Sequence, residues 1–214
     1  LDDVPKDTLP EWKMEFDVIS TLKDAGHEVE TLGVYDDLGP IRTMIADWQP
    51  HIAFMMLEEF HGIPTYDQAI VGYLELKRQP YTGCNARGLL LTHDKALSKK
   101  ILLHHHISTP KFAVFPIGRK VKLTSKLRFP LFVKSTTEDA SHGISQASVV
   151  NDPKELAERV AFVHETVKTE AIAEEFIDGR EFYLAILGND RLQTFPVWEM
   201  DFSGMPEDAA HIAT

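Results

Sequence analysis

The stretch FPLFVKSTTEDASHGISQA, residues 129–147, joins an apolar segment to a loop of small polar side chains. Its first part is an apolar run that ends at Lys134 and is typical of a buried β-strand. The residues from 136 to 143 are mostly small or hydroxylated. Most lysines at the end of a strand only extend their ammonium group into solvent. The alternative is an anion, most simply a phosphate, held by Lys134 and by backbone N–H groups of the loop.

The composition of the chain is that of a globular protein with a hydrophobic core. Of its 214 residues, 43% are hydrophobic and 26% are charged, which argues against disorder. This length suits one large domain or two small ones. The longest apolar runs are too short to span a membrane, and the acidic first residues carry no signal-peptide core. We therefore expect no membrane partner.

The charge of the chain and its single cysteine exclude further classes. A net charge of -11 without a basic stripe argues against a nucleic-acid partner, because phosphate contacts dominate that affinity. Cys84 is the only cysteine, so neither an internal disulfide nor a cysteine metal cage is available. A lone cysteine favours a reducing, cytoplasmic setting.

The first part of the chain alternates between predicted helices and strands. Apolar spacing predicts helices over residues 12–25, 38–48 and 65–77, and the segments HEVETLGVY and HIAFMML between them read as strands. Such alternation indicates βαβ units and a parallel sheet. A domain of this kind usually begins with a strand, so we expect residues to be missing before Leu1.

After QPYTGCN, residues 79–85, the pattern changes to that of an antiparallel α+β domain. Helices are predicted over residues 85–105 and 152–167, where Asp152 is a suitable N-cap. Strands are predicted in STPKFAVF, FPLFVKS, EAIAEEFI, EFYLAILG and RLQTFPVWEM. The expected domains are residues 1–83, a parallel α/β domain, and residues 84–214, a nucleotide-binding domain.

Polar residues that carry chemistry follow in a fixed order in the second domain. Lys95 lies in the first turn of a helix, Lys134 ends a strand, and Glu174 and Glu181 flank a turn. Each has an ordinary alternative: Lys95 as an exposed helix lysine, Glu174 at a solvated strand end, and Glu181 paired with Arg180 or Lys134. Three consecutive histidines at 104–106 point in different directions on a helix, so they are a poor metal site.

Together these features match the needs of a nucleoside triphosphate. Its phosphates require cations and backbone donors, its base requires an apolar slot with a hydrogen-bonding edge, and its ribose hydroxyls require a carboxylate. The chain contains neither the glycine-rich P-loop motif nor the dinucleotide-binding glycine motif.

The order of these features resembles the ATP-grasp superfamily, and within it the D-alanine–D-alanine ligase-like branch. The resemblance runs through LELKRQPYTGCN, DKALSKKILLHHHISTP, FPLFVKSTTEDASHGIS and AIAEEFIDGREFYLAILG, from about residue 51 onward. It implies an α/β, ATP-grasp fold, with an N-terminal parallel α/β domain followed by an α+β ATP-binding domain that is incomplete at its C-terminal end.

The resemblance also implies roles for individual residues. By this resemblance Lys95 and Lys134 are the two lysines that bind the ATP phosphates, and Ser141 lies in the loop that covers them. Adenine is assigned to the segment Glu174, Glu175, Phe176 and Ile177. The ribose is assigned to Glu181, and a first-substrate pocket to His61 and Tyr66 of the first domain.

Three positions depart from the family pattern. The covering loop has Asp139-Ala140-Ser141 where the family usually has glycine-serine-serine, Tyr66 replaces an acidic residue, and Cys84 replaces a serine. These departures argue against D-alanine as the substrate.

The resemblance places the catalytic residues and the Mg²⁺ ligands beyond Thr214. Asp201, Glu207 and Asp208 come too early in the chain to match those ligands.

The activity implied is that of an ATP-dependent carboxylate–amine ligase that forms a C–N bond and releases ADP. It would use ATP and Mg²⁺ and act through an acyl phosphate on an amino acid or small peptide. The resemblance also allows a homodimer. Two alternatives stay open, namely an ATP-binding regulatory module without turnover, and an ATP-grasp enzyme that forms another kind of bond.

Overall fold

A computed structural model describes residues 12–122, 127–139, 141–206 and 209–213. Ala140, Glu207 and Asp208, which the sequence analysis named, lie outside the described residues. The chain divides into two compact units, Leu1–Leu90 and Leu91–Thr214. Each unit has its own cluster of buried apolar side chains.

The first unit is mainly helical. Its helices are α1 (Lys13–Asp24), α2 (Gly39–Asp47) and α3 (Asp67–Leu76), and α4 (Ala86–His93) follows. A 3₁₀ turn over Pro64–Tyr66 leads into α3. The core is formed where α2 and α3 bury Ile41, Ile70 and Leu74. The three predicted helices are therefore present, each close to its predicted bounds.

The two strands predicted in this unit do not form among its described residues. Residues 27–34 have no regular structure, and HIAFMML contributes only Ala53, which forms one isolated parallel bridge with Tyr81. The bridge rests on two hydrogen bonds, from Ala53 N to Pro80 O (2.8 Å) and from Thr82 N to Ala53 O (3.0 Å). A strand needs a neighbour to complete its ladder, so apolar alternation alone does not produce one. The pairing that remains is parallel, as the sequence predicts.

The second unit contains the main sheet. Its helices are α5 (Lys95–His104) and α6 (Pro153–Phe162), the latter continued by a π-helical turn over Val163–Val167. The strands are β1 (Phe112–Phe115), β2 (Leu131–Ser135), β3 (Val149–Val150) and β4 (Ala171–Glu175). Their order is β1-β4-β2-β3 and every pairing is antiparallel, as predicted for this half.

One face of the sheet is covered by α6. Leu131, Val133 and Ala173 have no exposed surface, and they pack with Leu156 and Val160 of the helix. Each large apolar side chain buried in this way contributes about 1.5–3 kcal/mol.

The N-terminus of α6 is fixed by the cap that the sequence predicts. Asp152 accepts hydrogen bonds from Lys154 N (2.7 Å) and Glu155 N (2.9 Å).

On the opposite face of the sheet, a row across three strands holds the side chain of Glu174 between two phenylalanines. Glu174 of β4 is the Cα partner of Phe112 in β1 and of Phe132 in β2, so the three side chains lie side by side. Lys134 is two residues from Phe132 and therefore projects from the same face. This row positions the candidate site.

Two short ribbons follow the sheet. Strand β5 (Phe182–Tyr183) pairs with β8 (Trp198–Glu199), and β6 (Ile186–Leu187) pairs with β7 (Gln193–Thr194). The two predicted strands in this region are thus each split into two short pieces. No helix in the described part of the chain is both long and apolar enough to cross a membrane.

Candidate nucleotide site

The centre of the candidate site is one carboxylate shared by two lysines. Lys134 Nζ lies 2.5 Å from Glu174 Oε1, and Lys99 Nζ lies 2.6 Å from Glu174 Oε2. The side chains of Lys99, Glu174 and Lys134 are 12%, 10% and 23% exposed. We call these three residues the lysine–glutamate cluster.

The electrostatics of the cluster keep Glu174 charged. Burial favours the neutral acid, but the charge and hydrogen bonds of Lys134 and Lys99 outweigh burial and lower the pKa of Glu174. The carboxylate has about four lone-pair directions, of which the two lysines use two. Glu174 can therefore accept a further hydrogen bond while it holds both cations.

Helix α5 supplies two lysines from one side. Lys95 and Lys99 are four residues apart, so they lie on the same helical face. Asp94 caps the helix by accepting from Leu97 N (2.8 Å), and Lys95 N donates to Thr136 O (3.1 Å) just beyond β2. The start of α5 is thereby attached to the end of the strand that carries Lys134.

Lys95 contacts the loop that follows β2. Its ammonium group lies 2.5 Å from Glu138 O and 2.9 Å from Asp139 Oδ1. The ring nitrogen Nδ1 of His93 lies 3.5 Å from the other oxygen of Asp139. Asp139 is therefore held at the lysine that the family resemblance assigns to phosphate.

Side chains fix the first turn of the loop. Ser135 Oγ accepts from Thr137 N (3.1 Å) and Glu138 N (2.9 Å), so these two N–H groups already have partners. Ser141 has a positive φ of 59° and its hydroxyl donates to Ala213 O (3.3 Å).

The last residue of the loop is Gly143. Its φ is +73°, and a Cβ there would lie 2.8 Å from a methyl carbon of Val167, so the position requires glycine. The buried guanidinium of Arg159 donates to Gly143 O and to Ser148 Oγ. Both ends of the loop are thus anchored to the sheet and to α6.

The segment predicted to read adenine continues from β4. Glu175 N donates to Lys111 O (2.9 Å) and Phe176 N donates to Pro130 O (3.0 Å). Ile177 is exposed, and its N–H makes no backbone hydrogen bond within the described residues. The roles assigned to these residues stay predictions.

Glu181 has a different partner from the two that the sequence suggested. Tyr183 donates its hydroxyl proton to the carboxylate of Glu181. Arg180 instead binds Glu199, with both N–O distances at 2.6 Å. The ribose contact of Glu181 stays a prediction.

The two predicted substrate residues belong to the first unit. His61 has a φ of 59°, donates its N–H to Tyr35 O (2.6 Å), and stacks on the ring of Tyr35 with centroids 6.0 Å apart. Tyr66 ends the 3₁₀ turn and is half-exposed. Their role in a substrate pocket stays a prediction.

The sequence patterns indicated neither a role for Lys99 nor the contact made by Asp139. The spacing of four residues between Lys95 and Lys99 was an available signal, because it places both lysines on one face of a predicted helix. Within the described ranges, no group of three or more His, Cys, Asp or Glu side chains is arranged to hold a metal ion.

Comparison with known proteins identifies the family. The family model of the D-alanine–D-alanine ligase C-terminus matches residues 106–206. An uncharacterised protein of Sinorhizobium fredii is 30% identical over 204 residues, which cover 92% of this chain and 58% of that protein. The D-alanine–D-alanine ligase of Syntrophotalea carbinolica is 33% identical over 182 residues, which cover 84% of this chain and 55% of the ligase. The chain thus spans little more than half the length of these relatives.

Two solved structures of a D-alanine–D-alanine ligase from Bacillus anthracis share the fold. One matches with a TM-score of 0.67 at 22% identity and covers 92% of this chain and 68% of that one. The other, complexed with ATP, matches with a TM-score of 0.55 at 24% identity and covers 72% of this chain and 55% of that one. The likeness confirms the predicted fold class. The chain belongs to the D-alanine–D-alanine ligase-like branch of the ATP-grasp superfamily.

Proposed function

We propose that the protein is an ATP-dependent carboxylate–amine ligase that forms a C–N bond and releases ADP. The reaction would proceed through an acyl phosphate of an amino acid or small peptide. The observation that carries this proposal is the lysine–glutamate cluster, which lies where the family resemblance assigns an ATP-phosphate lysine. The family membership supports the same reaction class.

The side chains present suit the anionic part of a nucleotide. Lys134 and Lys99 share a single carboxylate, and Lys95 lies at the covering loop, so cations outnumber their buried anionic partner. In the transfer of a phosphoryl group, Lys95 and Lys134 would offset negative charge on the phosphate oxygens.

Magnesium is part of the proposal without assigned ligands. Among the described residues, no group of three or more His, Cys, Asp or Glu side chains is arranged to hold the ion. We also propose a cytoplasmic location, which the single cysteine favours, and a homodimer, which the family resemblance allows.

The substrate pocket is proposed around His61 and Tyr66. Tyr66 stands where the family has an acidic residue, so a charged partner is lost and an aromatic wall is gained. We therefore propose an apolar or aromatic amino acid, or a small peptide, rather than D-alanine.

The first test is calorimetric titration of the chain with ATP and with GTP. We expect ATP to bind more tightly, because the Glu174 carboxylate can accept a hydrogen bond from the adenine amino group and opposes the carbonyl oxygen of guanine. Equal affinity for the two nucleotides would remove Glu174 from base recognition.

The second test is a coupled ADP-release assay on the complete protein as the cell produces it, across D- and L-amino acids and dipeptides. We expect ADP and phosphate only when an amino acid or peptide is present. Release of AMP and pyrophosphate would contradict the acyl-phosphate mechanism. ATP binding without any acceptor-dependent turnover would favour the regulatory module.

A further inference from the structure

Lys99 is a mostly buried cation for which the proposed function has no role. It reaches from α5 to Glu174 across 2.6 Å, and its ammonium group lies 5.6 Å from the centre of the Phe112 ring. Lys134 approaches the same carboxylate from β2 and lies 5.3 Å from the centre of the Phe132 ring. The two lysines thus approach Glu174 from opposite sides, Lys99 near Phe112 and Lys134 near Phe132.

The charges of the cluster do not balance. Two ammonium groups and one carboxylate leave one positive charge among side chains that are mostly withdrawn from water. A buried charge without a counter-ion is costly. The neighbouring carboxylate does not provide that counter-ion, because Glu175 Oε1 lies 3.8 Å from Lys111 Nζ at the other side of the strand end. An anion from outside would complete the cluster.

The second lysine changes what Lys134 can do. If Lys134 alone faced Glu174, the pair would be neutral and its attraction for a phosphate would be largely cancelled. With Lys99 on the other oxygen, Glu174 is neutralised by Lys99 and the ammonium charge of Lys134 remains available. Glu174 still fixes the position of Lys134.

We propose that Lys99 is a positioning residue of the nucleotide site, which neutralises Glu174 so that Lys134 can bind the phosphates of a nucleoside di- or triphosphate. This inference rests on the proposed nucleotide-binding function and assigns to that site a residue outside the predicted set. Lys99 acts through Glu174 and does not itself contact the nucleotide.

The test compares Lys99→Met, Lys99→Arg and wild type by calorimetric titration with ADP, ATP and adenosine. Methionine keeps the length and apolar stem of the lysine and removes its charge. We expect Lys99→Met to weaken ADP and ATP by about tenfold and adenosine by less than about twofold. Lys99→Arg should stay close to wild type. Lys100→Met is the matched control, since Lys100 is the exposed neighbour on the same helix.

A double-mutant cycle separates an indirect role from a direct one. If Lys99 acts through Glu174, Lys99→Met should have little effect on ADP affinity when Glu174 is already glutamine. An equal loss in both backgrounds would mean direct phosphate contact and would overturn the proposal. Equal losses of adenosine and ADP affinity would mean a structural role and would also overturn it.

Folding is checked by circular dichroism and thermal unfolding of each variant. If Glu174→Gln does not fold, the comparison of ADP with adenosine in Lys99→Met and Lys99→Arg still distinguishes a positioning role of Lys99 from a structural one. Wild-type chain that binds none of the three ligands would instead refute the proposed function. Wild-type binding that Lys99→Met leaves unchanged refutes only the role of Lys99.

Discussion

The candidate site contains two lysine–carboxylate contacts that differ mainly in the burial of the carboxylate. At the sheet, Glu174 is 10% exposed and is shared by Lys99 and Lys134. At the loop, Asp139 is 59% exposed and contacts Lys95 across 2.9 Å. Exposed ion pairs contribute about 0–1 kcal/mol, whereas breaking a buried one leaves an uncompensated charge. The sheet contact is therefore a fixed part of the fold, and the loop contact is readily exchanged for water or a ligand.

The largest expected effect is on stability at the sheet. Glu174→Gln leaves two mostly buried ammonium groups without a counter-charge, so we expect the free energy of unfolding to fall by about 3 kcal/mol. Urea unfolding followed by circular dichroism and by tryptophan fluorescence measures it. A loss no larger than that of Asp139→Asn would show that burial does not distinguish the two contacts.

The next effect is on nucleotide affinity. Lys134→Ala should weaken ATP binding by roughly ten- to a hundred-fold, because a charged hydrogen bond in a partly closed site contributes about 1.5–3 kcal/mol. Glu174 keeps Lys99 as a partner in this variant. Lys154→Ala, at a lysine that is 83% exposed on α6, is the control for a general loss of charge. Unchanged affinity in Lys134→Ala would mean that this lysine only balances Glu174.

A smaller effect is expected on the pH dependence of stability. The lowered pKa of Glu174 means that its stabilising contribution is complete above its unfolded-state pKa and is lost as the pH falls through the lower, folded-state value. Unfolding free energy measured from pH 6 down to about 3 should therefore decline less steeply in Glu174→Gln than in wild type. Parallel curves would mean that the lysines do not hold the carboxylate in its charged form.

The smallest effect is expected at the loop. Asp139→Asn should change the free energy of unfolding by less than about 0.5 kcal/mol, because the carboxylate of Asp139 is exposed. ATP affinity should rise by about threefold, since Lys95 loses a competing carboxylate and the phosphates lose a repelling charge. Glu138→Gln is the matched control, because Glu138 contacts Lys95 only through its backbone carbonyl. An equal rise in both variants would point to loop charge in general.

The sequence predicted the parts of this fold that depend on local signals. The N-cap Asp152 and the apolar spacing after it predicted α6, and the apolar run before Lys134 predicted β2. Residues 27–34 show the limit of such signals: their alternation suggested a strand, but a strand also requires a partner, which the sequence does not specify.

In the candidate site, too, the sequence predicted the residues that belong to local motifs and not the contacts that depend on tertiary packing. The motifs drew attention to Lys134 and Glu174, and the structure brings these two side chains to 2.5 Å. The sharing of Glu174 with Lys99 depends on how α5 lies against β4. That relation is tertiary, so only the four-residue spacing from Lys95 hinted at it.

The register of β4 has a consequence for how the sheet assembles. Glu174 lies opposite both Phe112 and Phe132, and a shift of β4 by one residue would turn every side chain of the strand to the other face. Glu174 would then enter the apolar layer beneath α6, beside Leu156 and Val160, with neither lysine in reach. A one-residue misalignment thus buries a lone carboxylate, so the same charged group that serves the site also disfavours that alignment of the three strands during folding.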